Sequence, residues 1–476
     1  MSDRAPIAFY DTVVDRTLSK LRNMWREIAS STRGVLSGAP RPDLPDDDAQ
    51  RLRQQMQSCL DGSGGEVSAR ARAAELGRTY LALSRAGRER FLHVMAEDFD
   101  IDRAAVDRAC AKLAAATTLA ERAPAERALR AALTAPRVRL LRQFNALPEG
   151  VKFLVDRREE MLAFADGDVA MRGLSDDLRG LLADWFDIGF LELRRISWDS
   201  PAALLEKLIA YEAVHEIQGW NDLKNRLEAD RRCFAFFHPR MPDEPLIFVE
   251  VALVDGMAGN IHALLDESAP LGDVSVADAA IFYSISNCHR GLNGISFGDF
   301  LIKRVVELLA AELPRLKIFA TLSPIPGFRA WLDKERHRAD LLLPVEAKAL
   351  AAATSNGSTG ADLVQLLDRP GWHNDPTLTG VLHESLLRLC AQYLVEEKGR
   401  GNRAADAVAH FHLTNGARVD RINWLGDTSE KGLQQSAGMM VNYLYRLDHI
   451  EANHEAYRGE GKVAMSSAVR HLLRNR

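Results

Sequence analysis

Long apolar runs are missing from this chain: none reaches the roughly 20 residues that a membrane-spanning helix needs. A soluble protein with no membrane partner is therefore expected. Cysteine is sparse, with Cys59, Cys110, Cys233, Cys288 and Cys390 scattered through 476 residues. No C-x-x-C pair occurs among them, so neither a zinc cluster nor a thioredoxin-type redox motif is offered, and a reducing compartment fits best. Positive charge is not in excess, the formal net charge being -5. That balance argues against a nucleic-acid partner bound through a chain-wide basic field, so any anion site must be built locally. The stretch MSDRAPIAFYDTVVDR carries acidic residues and no uninterrupted apolar core, unlike a secretory signal or an acid-poor transit peptide. HLLRNR does not end in a peroxisomal tripeptide. The expectation is a cytoplasmic protein.

What is present is ordinary globular composition, 47% hydrophobic and 27% charged. A chain of this length exceeds what one core organises, which points to at least two domains. Residues 1–190 read as successive helices. Val13, Val14, Leu18, Leu21, Trp25 and Ile28 keep one apolar face at helical spacing. The stretches Ala69–Ser84, Ala104–Ala116 and Ala125–Leu133 are rich in Ala, Arg, Leu and Glu, good helix formers, with the arginines expected on solvated outer faces. Such a region suits packing or assembly.

Beyond about residue 190 β-branched and aromatic runs bounded by turn residues appear between helices. CFAFFHP, RMPDEP and LIFVEVALV predict an antiparallel hairpin, AIFYSISN a further buried strand, and FLIKRVVELLAAEL an amphipathic helix. KIFATLS predicts another strand, ending at Pro324-Ile325-Pro326-Gly327, and an α-rich stretch follows to Glu397. AHFHLTNGARVDRINWL predicts two strands joined at Asn415-Gly416, a dipeptide suited to a hairpin turn. This places His412 on a strand.

Gly291, Gly294 and Gly298 lie between a predicted strand and helix, where backbone N–H groups and the helix dipole can hold a pyrophosphate. Arg290, Lys303 and Arg304 flank them. No G-K-[ST] follows and the spacing is not G-x-G-x-x-G, so ATP and NAD both lose support. The run Gly294-Ile295-Ser296-Phe297-Gly298 also fits G-x-S-x-G, which would make Ser296 the nucleophile of an α/β-hydrolase. Against this, an elbow serine directly follows its strand, whereas CHRGLNGI intervenes here. Ser323 before Pro324 and His412 in FHLTNG are polar residues in apolar surroundings. His383-Glu384 lacks a second histidine of H-E-x-x-H, and His449 with His454 is poorly spaced for a shared helix face, so no metal is expected.

Taken together, FYSISNCHRGLNGISFGDFLIKRVVELL, FATLSPIPGF and HFHLTNGARVDRINWLGDTSEKG resemble the malonyl-CoA decarboxylase family, in its order and spacing. The resemblance runs with gaps over most of residues 190–450 and continues more weakly toward the N-terminus. It implies an all-α helical N-terminal domain, residues 1–190, used in oligomer contacts. A mixed α/β catalytic domain with the acetyltransferase-like (GNAT) fold, residues 191–476, would follow. The family's malonyl-CoA-binding segment falls on Asn293, Gly294, Ile295, Ser296, Phe297, Gly298 and Asp299. Its proton acceptor falls on Ser323 and its proton donor on His412. Animal members carry a cysteine implicated in an interchain disulfide. The gap between Cys110 and Cys233 makes redox-controlled assembly doubtful here, while a dimer or tetramer remains expected.

Loss of CO2 from malonyl-CoA leaves a thioester enolate. The thioester is its own electron sink, so no cofactor beyond the coenzyme A of the substrate is expected. The rivals are a serine thioesterase using Ser296, a GNAT-type acyltransferase, and a non-catalytic coenzyme A sensor.

Overall fold

The computed structural model describes residues 21–29, 40–61, 66–295, 301–354 and 359–474. As far as Trp185 the described chain is helical. Local chemistry sets the helix starts. Ser84 Oγ accepts the Gly87 N–H, Asp102 the Ala105 N–H and Asp168 the Met171 N–H, while Thr118 and Glu121 form a reciprocal capping box. In Val169–Trp185 the buried Met171, Leu174, Leu178, Leu181 and Leu182 recur at helical spacing. Trp25 is fully buried, edge-on to Phe153 at 4.8 Å, and its indole N–H donates to the Pro148 carbonyl at 2.9 Å. Arg103–Ala115 and Leu119–Ala132 pack chiefly on each other, and along them only Ala109 and Ala125 are buried.

The sheet begins with β1 (Glu192–Ile196), and β2 (Arg231–His238) and β3 (Met241–Val254) form the expected hairpin. β4 (Ala279–Asn287) pairs antiparallel with β3 through a bulge at Glu250/Val251. The helix Leu301–Glu312 then crosses to β5 (Ile318–Thr321), which runs parallel to β4. β6 (Ser323–Pro324), β7 (Arg418–Asn423) and β8 (Met440–Leu444) complete the order β1-β2-β3-β4-β5-β8-β6, with β7 on β8. Pairing of β4 with β5 stops at Phe282–Thr321 although β4 continues to Asn287.

One face of this sheet, with Val249, Val251, Phe282 and Phe319, shares a continuous apolar cluster with Trp25, Leu154, Val155 and Leu178 of the helical part. On the other face Ala202–Tyr211 and Trp220–Arg226 cover Cys233, Phe237 and Phe248, and Ile261–Leu265 covers Ala252, Ile281 and Ala320. No helix among the described residues is long and apolar enough to cross a membrane.

One predicted element is wrong. Ala407–Thr414 is a helix, so His412 lies on its last turn and not on a strand. Asp406 starts it by accepting the Val408 and Ala409 N–H groups at 2.9 and 3.0 Å. Asn415-Gly416 ends it: Gly416 has φ 79°, and its N–H reaches the Leu413 carbonyl at 3.1 Å. A left-handed glycine serves a helix end as well as a hairpin, and the N-cap aspartate decides between them.

Candidate active site

Thr321 and Ser323, with Tyr443 of β8 and Tyr445 just beyond it, build one end of the site. Thr321 ends β5, and Ser323 pairs with Val441 of β8. The Ser323 hydroxyl donates to Thr321 Oγ1 at 2.8 Å and lies 3.2 Å from His412 Nε2. Thr321 Oγ1 also accepts the Tyr443 N–H at 3.1 Å. The opposite imidazole nitrogen, Nδ1, meets the Tyr445 hydroxyl at 2.8 Å. The Tyr443 ring stacks on His412 at 4.5 Å. Tyr443 lies in β8 and Tyr445 directly follows it, two residues on, so the two fall on one face of the extended chain.

His412 is 2% exposed, and burial without a carboxylate partner pushes its imidazole down to about 3. Burial likewise holds the Tyr445 phenol well above its ordinary range. Both groups are therefore neutral at ordinary pH, which orders the protons. Tyr445 O–H donates to Nδ1, Nε2–H donates to Ser323 Oγ, and Ser323 O–H donates to Thr321.

Asp406 ties the segments of Ser323 and His412 together. One carboxylate oxygen caps the helix of His412, while Oδ2 accepts the Gly327 N–H at 3.2 Å and the Tyr393 O–H at 3.4 Å. A Cβ at Gly327 would overlap the Tyr393 hydroxyl, so the turn after Ser323 can sit this close only as glycine.

The glycine turn lies elsewhere on the sheet, directly after β4. Gly291 packs so tightly on the Val155 carbonyl of Gly150–Phe164 that a Cβ would overlap it. Arg158 Nη1 donates to the carbonyls of Gly291 and Asn293 at 2.6 and 2.8 Å. Gly294 has φ 80°, which explains glycine there. Ser296, Phe297, Gly298 and Asp299 lie outside the described residues. Among the described residues no hydrogen bond joins Asn293, Gly294 or Ile295 to Ser323 or His412. Lys303 faces Glu451 at 3.4 Å and Arg304 faces Glu307 at 3.9 Å, so both have carboxylate neighbours.

The structure thus brings together Ser323 and His412, 89 residues apart. Thr321, Tyr443, Tyr445 and Asp406 were not singled out by sequence reasoning. The alternation of tyrosines in VNYLYRL was the available signal for two of them.

Residues 189–476 match the family model described as "Malonyl-CoA decarboxylase C-terminal domain", and residues 99–186 match "Malonyl-CoA decarboxylase N-terminal domain". The mitochondrial malonyl-CoA decarboxylase of Anser anser anser is 40% identical over 420 residues, 84% of this chain and 83% of that protein. That of Mus musculus is 40% identical over 364 residues, 73% of each chain. The crystal structure of malonyl-CoA decarboxylase from Rhodopseudomonas palustris shares 44% identity at a TM-score of 0.81, covering 89% of this chain and 99% of that one. The one from Agrobacterium vitis shares 43% at 0.80, with the same coverage of 89% and 99%. The class so defined is that of the carboxy-lyases. The chain belongs to the malonyl-CoA decarboxylase family.

Proposed function

We propose that Ser323 and His412 together release CO2 from malonyl-CoA and protonate what remains. The observation that carries this is their 3.2 Å contact in a buried setting where no carboxylate pairs with the imidazole. The bond from the α-carbon to the carboxylate breaks, and its electron pair passes into the thioester carbonyl to give an enolate. Ser323 holds the reacting group. The His412 Nε2 proton then reaches the α-carbon, directly or through the Ser323 hydroxyl, while Tyr445 O–H passes its proton to Nδ1. An acetyl thioester C–H is a far weaker acid than a phenol, so this transfer runs downhill from neutral groups. A proton from solvent then returns to Nε2, and Nδ1 gives its proton back to the Tyr445 phenolate, which restores the starting tautomer. No metal or redox cofactor enters these steps, because the thioester takes the electrons.

Asn293–Asp299 is proposed to hold coenzyme A, within a GNAT-type domain covering residues 191–476. Four antiparallel strands followed by a parallel β4/β5 pair that separates after Phe282–Thr321 support that fold. Residues 1–190 are proposed as the assembly module of a homo-oligomer. Arg103–Ala115 and Leu119–Ala132 support this, since Leu119, the first residue of the second helix, is 83% exposed. A cytoplasmic setting is supported by five unpaired thiols.

The test is product analysis with purified protein and malonyl-CoA. Acetyl-CoA and CO2 in equal amounts, with no free thiol, are expected. Free coenzyme A with malonate would instead mean thioester hydrolysis and would overturn the proposal.

A further inference from the structure

Arg158 is 3% exposed and lies on Gly150–Phe164, in the helical part of the chain. Its guanidinium stays charged at any working pH. Among the described residues no carboxylate oxygen lies within 4.0 Å of it. Nη1 serves the Gly291 and Asn293 carbonyls, and the buried Nε–H has no partner among the described residues. Arg157 next to it differs, for its guanidinium lies over the Tyr80 ring at 4.6 Å and faces Glu160 at 3.6 Å. A second cation, Arg179, reaches the same turn from Val169–Trp185: a Cβ on Gly294 would stand 3.8 Å from its Cδ. Asp176 pairs with the outer arginine at 3.3 Å and acts on the inner one only at longer range, without a direct ion pair among the described residues.

A buried cation with no directly paired anion among the described residues is costly, and two carbonyl dipoles offset only part of that cost. The fold keeps it nonetheless against a glycine turn that follows β4 and cannot tolerate a side chain at Gly291. We propose that Arg158 is a positioning residue of the coenzyme A phosphate site, holding Gly291–Gly294 in shape and, with Arg179, keeping the turn positive for a phosphate group of the substrate. The helical part thereby takes a share in substrate recognition. This rests on the reading of the glycine turn as part of the coenzyme A site.

Arg158→Met and Arg158→Lys are compared with malonyl-CoA and with malonyl-pantetheine, which carries the same reacting group but no phosphate. The expected result for Arg158→Met is a KM for malonyl-CoA raised about tenfold or more, with kcat changed less than about threefold. Its kcat/KM for malonyl-pantetheine should stay at the wild-type value. Lysine keeps the charge but not the fork, so Arg158→Lys should fall between. Arg179→Ala, at a half-exposed site that does not threaten folding, should raise the KM for malonyl-CoA alone. Equal losses with both thioesters, or no loss with either, overturn the assignment. Gly294→Ala separates the two levels. If it weakens malonyl-CoA selectively while the arginine variants do not, only the role of Arg158 falls. If it affects neither thioester, the glycine-turn reading falls, and the role of Arg158 with it.

Discussion

At the scale of single residues, the proposed chemistry rests on a histidine that burial keeps neutral. His412→Asn should lower kcat by roughly two to four powers of ten, the span for losing a positioned acid, while coenzyme A binding changes little. Steady-state kinetics on folded protein measures this, and near-normal turnover would move the proton to another group. Because burial carries the imidazole down to about 3, kcat/KM should show no limb near pH 6.5 that disappears in His412→Asn. Ser323 and His412 were legible only through resemblance to a family. Before that, a serine ahead of a proline and a histidine in an apolar run are ordinary. Their meeting depends on β8 pairing its Val441 with Ser323 of β6 and stacking its Tyr443 on the imidazole, which no local pattern encodes. Arg158 was illegible for a related reason. Arginines of Ala-rich helices are expected outside, and only the packing of Gly150–Phe164 on the glycine turn brings this one in.

At the scale of elements, the helix that carries His412 depends on its first residue. Asp406 caps it and holds the SPIPG turn, so Asp406→Ala should cost at least the roughly 1–2 kcal/mol of a lost N-cap and should also lower kcat. Denaturant unfolding with parallel kinetics checks both. Intact turnover despite lost stability would show that the cap does not position His412. Composition and turn chemistry sufficed for the β2–β3 hairpin, for β4, and for the crossover helix Leu301–Glu312, whose buried Leu301, Val305, Val306 and Leu309 repeat at helical spacing. They failed at Ala407–Thr414, where Asn-Gly suits two structures and the aspartate nine residues earlier chooses between them.

At the scale of the whole molecule, His215, His289 and His412 are all held low by burial, at about 4, 4 and 3. In the unfolded chain each takes a proton near pH 6.5. Their neutral burial is therefore fully compatible with stability above that pH. As the pH falls from about 6.5 toward 4, the unfolded state binds protons that the native state refuses, and stability drops by up to roughly 1.4 kcal/mol per pH unit per group. Urea midpoints between pH 7.5 and 4.5 should fall steeply, and more gently in His412→Asn; identical slopes would mean His412 titrates normally. The continuous core from Trp25 to Phe282 makes the helical part and the sheet respond together.

The central claim is that the chemistry sits at Ser323 and not in the glycine turn, and turnover of two alanine variants at saturating malonyl-CoA tests it most directly. Ser323→Ala should lose most acetyl-CoA formation with a modest change in KM. Ser296→Ala should keep its turnover and lose about 0.5–2 kcal/mol of binding at most. Abolished turnover in Ser296→Ala beside an untouched Ser323→Ala, both folded, would contradict the assignment and return the nucleophile to the glycine turn.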